Sequence, residues 1–176
     1  MNYIINYIVQ KIVKKFKHFV DRRKKMNGIL NFIKEVCEDL CISLPDSIIT
    51  EDKKFNKGTQ LATLVYENGK SLLYLRTKYE YGDVDMAFAI AHELRHKYQI
   101  DTHIFDFENY KTSKELSRRE YNLQNEEVDA NAYAYIVLMD FFKLKVDFKL
   151  ILKDDVVANA IMKRVDAIIE NEYEEE

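Results

Sequence analysis

Apolar residues recur at helical spacing through most of this chain, and one stretch departs from that rhythm. Ile29, Leu30, Phe32, Ile33, Val36, Cys37, Leu40 and Cys41 fall at the i, i+3, i+4 intervals of an amphipathic helix over residues 29–42. Leu44-Pro45-Asp46 then breaks the pattern, since proline cannot continue a helix. Residues 60–66 (QLATLVY) and 71–76 (SLLYLR) are instead rich in Leu, Tyr and β-branched residues and flank Glu67-Asn68-Gly69-Lys70. An Asn-Gly pair suits a two-residue turn with both φ angles positive, so this segment predicts a β-hairpin. Gly82-Asp83 introduces a helix over residues 84–99 with Asp83 as its N-cap, and helical patterns follow over 114–142 and 154–172. The expected class is α+β, a helix-rich domain with a small antiparallel sheet.

Composition adds bounds. The 176 residues, 47% of them hydrophobic, suffice for one core, and no repeat or linker divides them, so residues 1–176 read as a single domain. Cys37 and Cys41, four apart on one predicted helical face, read as reduced, half-buried thiols of a cytoplasmic protein. No apolar run reaches the roughly 18 residues of a membrane span.

Charge is uneven. Residues 1–25 carry eight Lys/Arg against one acid, Asp21, while the whole chain has a formal charge of −3. Ile4, Ile5, Ile8, Val9, Ile12, Val13, Phe16, Phe19 and Val20 recur there at helical intervals, which makes the arm an amphipathic basic helix and not a signal peptide. Its apolar face is expected to dock on the domain; contact with an anionic membrane surface is the alternative. His18 lies in this arm and reads as solvated.

The chemistry is concentrated in His92-Glu93-Leu94-Arg95-His96. At about 100° per residue, His92 and His96 lie roughly 40° apart on one helical face, so both imidazoles can reach one ion. Glu93 points about 60° to the side of His96, where it can act on a water as general base without ligating. A catalytic zinc takes three protein ligands and leaves one position open, so a third donor must come from elsewhere. Asn125-Glu126-Glu127-Val128-Asp129-Ala130-Asn131-Ala132-Tyr133-Ala134 offers three carboxylates. Glu127 shares a face with Asn131 and with the small residues Ala130 and Ala134, which would allow close approach to the Ala87–Ala91 region. Glu126 and Asp129 point about 100° and 200° away. The expected ligands are therefore His92, His96 and Glu127. Asn131 is placed to hydrogen-bond the far nitrogen of a ligating histidine. An oxyanion donor is also required, and His103, Tyr121, Tyr133 and Tyr135 are the candidates.

HELRH followed by EVDANAYA resembles the gluzincin metallopeptidases, most closely the ImmA/IrrE-type branch, whose second motif has the form Glu-x-Glu-Ala-Asn-x-Phe-Ala. The resemblance covers roughly residues 84–140. It implies a zincin-like fold, zinc on His92, His96 and Glu127, Glu93 as catalytic base and Asn131 supporting the ligands. It also implies a cytoplasmic zinc metalloendopeptidase acting on a protein substrate, in several members a DNA-binding regulator. The chain departs from the family at Arg95, where Gly is common, and at Val137-Leu138-Met139-Asp140, where the family has a Leu-Leu-Met-Pro-like end. Thirty residues separate His96 from Glu127, a connection containing His103, Tyr110 and Tyr121 that is long enough for a flap or specificity element. No helix-turn-helix is evident, so direct nucleic-acid binding is not expected and any regulator would be a separate protein. The reading that competes with a protease is a catalytically silent, zincin-like metal-binding module. Glu93 favours catalysis, because a structural zinc, usually closed by four protein ligands, has no use for it.

Overall fold

A computed structural model of the protein describes residues 26–55, 60–77, 82–143 and 153–173. The basic arm, residues 1–25, lies outside the described residues, and so does its expected docking. Helix α1 (26–39) is followed by strands β1 (Ser47–Thr50), β2 (Ala62–Glu67) and β3 (Lys70–Leu75). Helices α2 (Asp83–Thr102), α3 (Arg118–Asn122), α4 (Asn125–Phe142) and α5 (Asp155–Ile168) complete the order. The class is α+β, as expected.

The sheet differs from expectation. The β2–β3 hairpin forms, with Asn68 at φ 52° and Gly69 at φ 74° making the turn. But β1 pairs in parallel with β3, giving a mixed sheet of order β1-β3-β2. Four residues, Ser47-Ile48-Ile49-Thr50, are too short to show a period, and their pairing is fixed from outside: Asp46 accepts hydrogen bonds from the Ser71 N–H at 2.7 Å and the Ser71 hydroxyl at 2.9 Å.

Helix boundaries shift for local reasons. Helix α1 stops two residues short of Cys41, which takes a left-handed φ of 53°. Ile42 N–H then bonds Cys37 carbonyl at 2.9 Å and Cys41 N–H bonds Glu38 carbonyl at 3.1 Å, the paired bonds of a Schellman end. Cys37 is therefore buried while Cys41 is exposed, not a shared helical face. Gly82, not Asp83, is the N-cap of α2; its N–H is met by the Asp85 carboxylate at 2.8 Å, and Asp83 becomes a first-turn acid. The pattern over 114–142 divides into α3 and α4. Ser117 caps α3 reciprocally with Glu120, an S-x-x-E box legible in the sequence.

Helix α4 is central. From Asp129 to Leu138 every residue except Asn131 is buried, because α4 packs between α2 and α5. One core joins Ile33 and Val36 of α1, Leu40 just after it, Leu73 and Leu75 of β3, Met86, Ile90 and Leu94 of α2, and Val157, Ile161 and Val165 of α5. Tyr133, fully buried, donates to Asp39 at 2.6 Å and ties α4 to α1. Lys97 of α2 is buried, donating to Ser43 at 3.1 Å and pairing with Asp101, which also accepts from the Tyr66 hydroxyl of β2 at 3.1 Å. The sheet is thereby fixed along α2, with β2 as the strand against it. No helix among the described residues is long and apolar enough to cross a membrane.

Candidate metal centre

The antiparallel packing of α2 on α4 brings His92, His96 and Glu127 together, and their donor atoms form a group able to hold a metal ion. The two imidazole Nε2 atoms are 3.1 Å apart. One Glu127 oxygen lies 3.3 Å from His96 Nε2 and the other 3.5 Å from His92 Nε2. Two donors bound to one zinc at 2.0–2.1 Å in tetrahedral array stand about 3.3 Å apart. The spacing fits. Protonation fits as well: burial, and then the neighbouring His96, push His92 down to about 4, so its ring is neutral at pH 7. Burial pushes Glu127 up, but the hydrogen bond from His96 and the fields of both histidines outweigh it and hold the carboxyl at about 2. In the metal-free protein burial also opposes charge on His96, yet Glu127 keeps that ring protonated up to about 9. A metal ion would replace that proton between the same atoms.

Glu93 lies beside the group without joining it. Its Oε2 accepts the Leu64 N–H of β2 at 2.7 Å. Burial pushes its carboxyl up to about 7, a range suited to proton transfer near neutral pH. Leu64 sits opposite Leu73 in the hairpin but turns its N–H away from β3, toward the outer edge of the sheet.

Asn131 stands beside His92 but makes no hydrogen bond to its far nitrogen. It lies against His92 and favours that ring's charged form, while its Nδ2 donates to the Glu127 carbonyl at 2.8 Å. His92 Nδ1 is buried with no hydrogen-bond partner. A histidine bound to metal through Nε2 carries its proton on Nδ1 and needs an acceptor there; the Asn131 side chain is the group beside it.

The four oxyanion candidates separate. Tyr121 reaches the site, donating to Glu127 Oε1 at 2.7 Å. Tyr133 does not, because its hydroxyl is engaged by Asp39. Tyr135 is buried in the core. His103 is exposed at the C-cap of α2, about two helical turns past His96, with a left-handed φ of 54°. Sequence reasoning gave Tyr110 no role, yet its hydroxyl is 2.6 Å from Glu127 Oε1 and 3.0 Å from the Tyr121 hydroxyl. Burial beside Glu127 raises both phenols well above the ordinary tyrosine range, so both stay protonated donors. The 97–125 connection brings them there: Gln124 accepts the Lys111 N–H at 2.8 Å and donates to the Lys111 carbonyl at 2.9 Å, closing the loop that carries Tyr110. Aromatic spacing in that connection was the available signal.

Asp129 is neither ligand nor solvated charge. It is fully buried, accepting at Oδ2 from Arg95 Nε at 2.8 Å and from Gln99 Nε2 at 2.8 Å, and at Oδ1 from Arg164 Nε at 2.7 Å. Arg95, at the fourth position of the HELRH run, is itself fully buried and stacks near the rings of Tyr98 at 4.4 Å and Tyr133 at 5.1 Å. The departure from the Gly common in the resembling family is thus accommodated by Asp129 on the facing helix. Glu126 is not in the group; its backbone carbonyl accepts from Gln99 at 2.9 Å.

No family model, no curated protein and no solved structure matches this chain.

Proposed function

We propose that this protein is a zinc-dependent metalloendopeptidase with a zincin-like fold of the ImmA/IrrE type, cleaving a peptide bond in a cytoplasmic protein substrate. The observation that carries this reading is the arrangement of three converging donors with a second carboxylate, Glu93, beside them and outside the group. His92, His96 and Glu127 would hold the ion. Zinc, when bound, lowers the pKa of a water toward neutrality and polarises a carbonyl.

The chain's own residues do the rest. Leu64 N–H fixes Glu93 Oε2, leaving Oε1 to take a proton from water and deliver it to the departing amine. Tyr110 and Tyr121 orient Glu127 by donating to its Oε1, and either hydroxyl could turn from it to donate to a developing oxyanion. The outer edge of β2 has no strand partner among the described residues, and an extended peptide pairing with it would run past Glu93. This supports a polypeptide substrate over a small molecule. A metal-binding module without turnover would leave the position of Glu93 unexplained.

The test is metal analysis of the full chain together with mass-spectrometric detection of new termini in a denatured protein mixture incubated with zinc. Wild type should hold one zinc and generate new termini, whereas Glu93→Gln should hold the zinc and generate none. Stoichiometric zinc with no cleavage by either protein would favour the silent module. Loss of zinc in Glu93→Gln as complete as in His92→Ala would overturn the base assignment.

A further inference from the structure

His96 Nδ1, the ring nitrogen outside the group of converging donors, meets the side chain of Gln99, and the hydrogen inventory there permits a single solution. Gln99 is fully buried one turn along α2. Its Nε2 lies 2.8 Å from Asp129 Oδ2 and 2.9 Å from the Glu126 carbonyl, and both of those atoms can only accept. The amide nitrogen must therefore face them, which uses both of its hydrogens. The amide oxygen is left toward His96, 2.8 Å from Nδ1. An amide oxygen can only accept, so His96 must carry a proton on Nδ1 whatever occupies Nε2. With Nδ1 protonated, Nε2 is the only nitrogen of that ring able to present a lone pair to the site.

Asp129 is what keeps Gln99 in that orientation, and Asp129 is in turn saturated by Arg95 and Arg164. Arg164 belongs to α5, outside the stretch on which the family resemblance rests. We propose that Gln99 is the positioning residue for His96, and that the Arg164–Asp129–Gln99 chain extends control of metal affinity from α5 to the metal centre. The metal-affinity half rests on the metallopeptidase reading; the protonation of His96 Nδ1 does not.

Two measurements separate these. In metal-free protein labelled with 15N at histidine, His96 should show a slowly exchanging Nδ1–H resonance, which Gln99→Leu should abolish. In competition with a chromophoric chelator, Gln99→Leu should bind zinc about 10- to 100-fold more weakly, the usual cost of losing the partner of a ligating histidine. Should Gln99→Leu fail to fold, Arg164→Met serves, because Arg164 is 31% exposed and its aliphatic stem is preserved. Arg164→Met should weaken zinc binding in the same direction by a smaller factor. An unchanged His96 resonance with unchanged zinc affinity in folded Gln99→Leu, or in Arg164→Met where that is the variant read, overturns the proposal. Wild-type protein that shows the Nδ1–H resonance but binds no zinc would instead count against the metallopeptidase reading and against the affinity half, leaving the role of Gln99 on His96 in place.

Discussion

The same two helices, α2 and α4, carry two polar clusters built on opposite principles. At Arg95, Asp129 and Gln99 no buried side-chain nitrogen or oxygen lacks a hydrogen-bond partner, and Asp129 receives hydrogen bonds on both oxygens from three side chains. At His92, His96 and Glu127 the count fails at one atom: the two Nε2 atoms, 3.1 Å apart, can share a proton, but buried His92 Nδ1 has no partner. Both clusters are largely buried, so desolvation does not distinguish them. A saturated cluster is complete as folded and contributes rigidity; a cluster that leaves a buried polar atom unpaired while three donors converge could hold a metal ion. Neighbouring positions in one motif, Arg95 and His96, thus serve separate ends.

Removing one partner from the saturated cluster should break the comparison most severely. Asp129→Asn leaves Arg95 buried without its counter-charge and should cost about 3–5 kcal/mol in denaturant unfolding. Asp129 is held below its ordinary range; burial opposes this, but Arg95, Gln99 and Arg164 prevail. Its contribution is therefore fully present above the ordinary value of 3.8 and is lost as pH falls through the depressed folded value. Wild type should lose stability over that acid range, and the variant should show a shallower loss. Equal acid profiles would mean that the cluster does not act through this carboxylate.

Glu93 should behave oppositely. Its folded value of about 7 lies above the ordinary 4.5, so the carboxylate is a burden in the metal-free fold: absent below pH 4.5 and complete above pH 7. Glu93→Gln should raise stability at pH 8 by about 3 kcal/mol and change nothing at pH 4, measured with chelator present. A destabilised variant at pH 8 would show that Leu64 needs a charged acceptor.

Tyr110→Phe is expected to cost about 1.5 kcal/mol, the lower end for a hydrogen bond to a charged group, because Tyr121 continues to donate to Glu127. The zinc affinity of this variant tells whether the 97–125 connection orients the ligand or merely covers it. The smallest effect is predicted at the open cluster itself. His92→Leu replaces a side chain with an unpartnered buried nitrogen by an apolar one and should alter metal-free stability by less than about 1 kcal/mol, while abolishing metal binding. A large loss of stability there would show that the open cluster is also structural.

The sequence by itself determined the helices, the Asn68-Gly69 hairpin and the choice of Glu127 over its neighbours, because each depends on local stereochemistry: a 3.6-residue period, a turn with positive φ, and angular position around one helix. The group able to hold a metal ion follows from spacing within two helices, and spacing is visible in a string of letters. Tertiary structure decided what spacing cannot express. Strand β1 is too short to have a period, and its parallel register is set by β3 and by the bond between Asp46 and Ser71. Tyr110 and Tyr121 meet only when the connection between α2 and α4 closes on itself. Asp129 was placed by helix geometry only as pointing away from Glu127, and its burial became explicable once Arg164, thirty-five positions later, came within 2.7 Å of it. Burying a charge is favourable only when its partners arrive from other elements, and their arrival is a property of the packed whole.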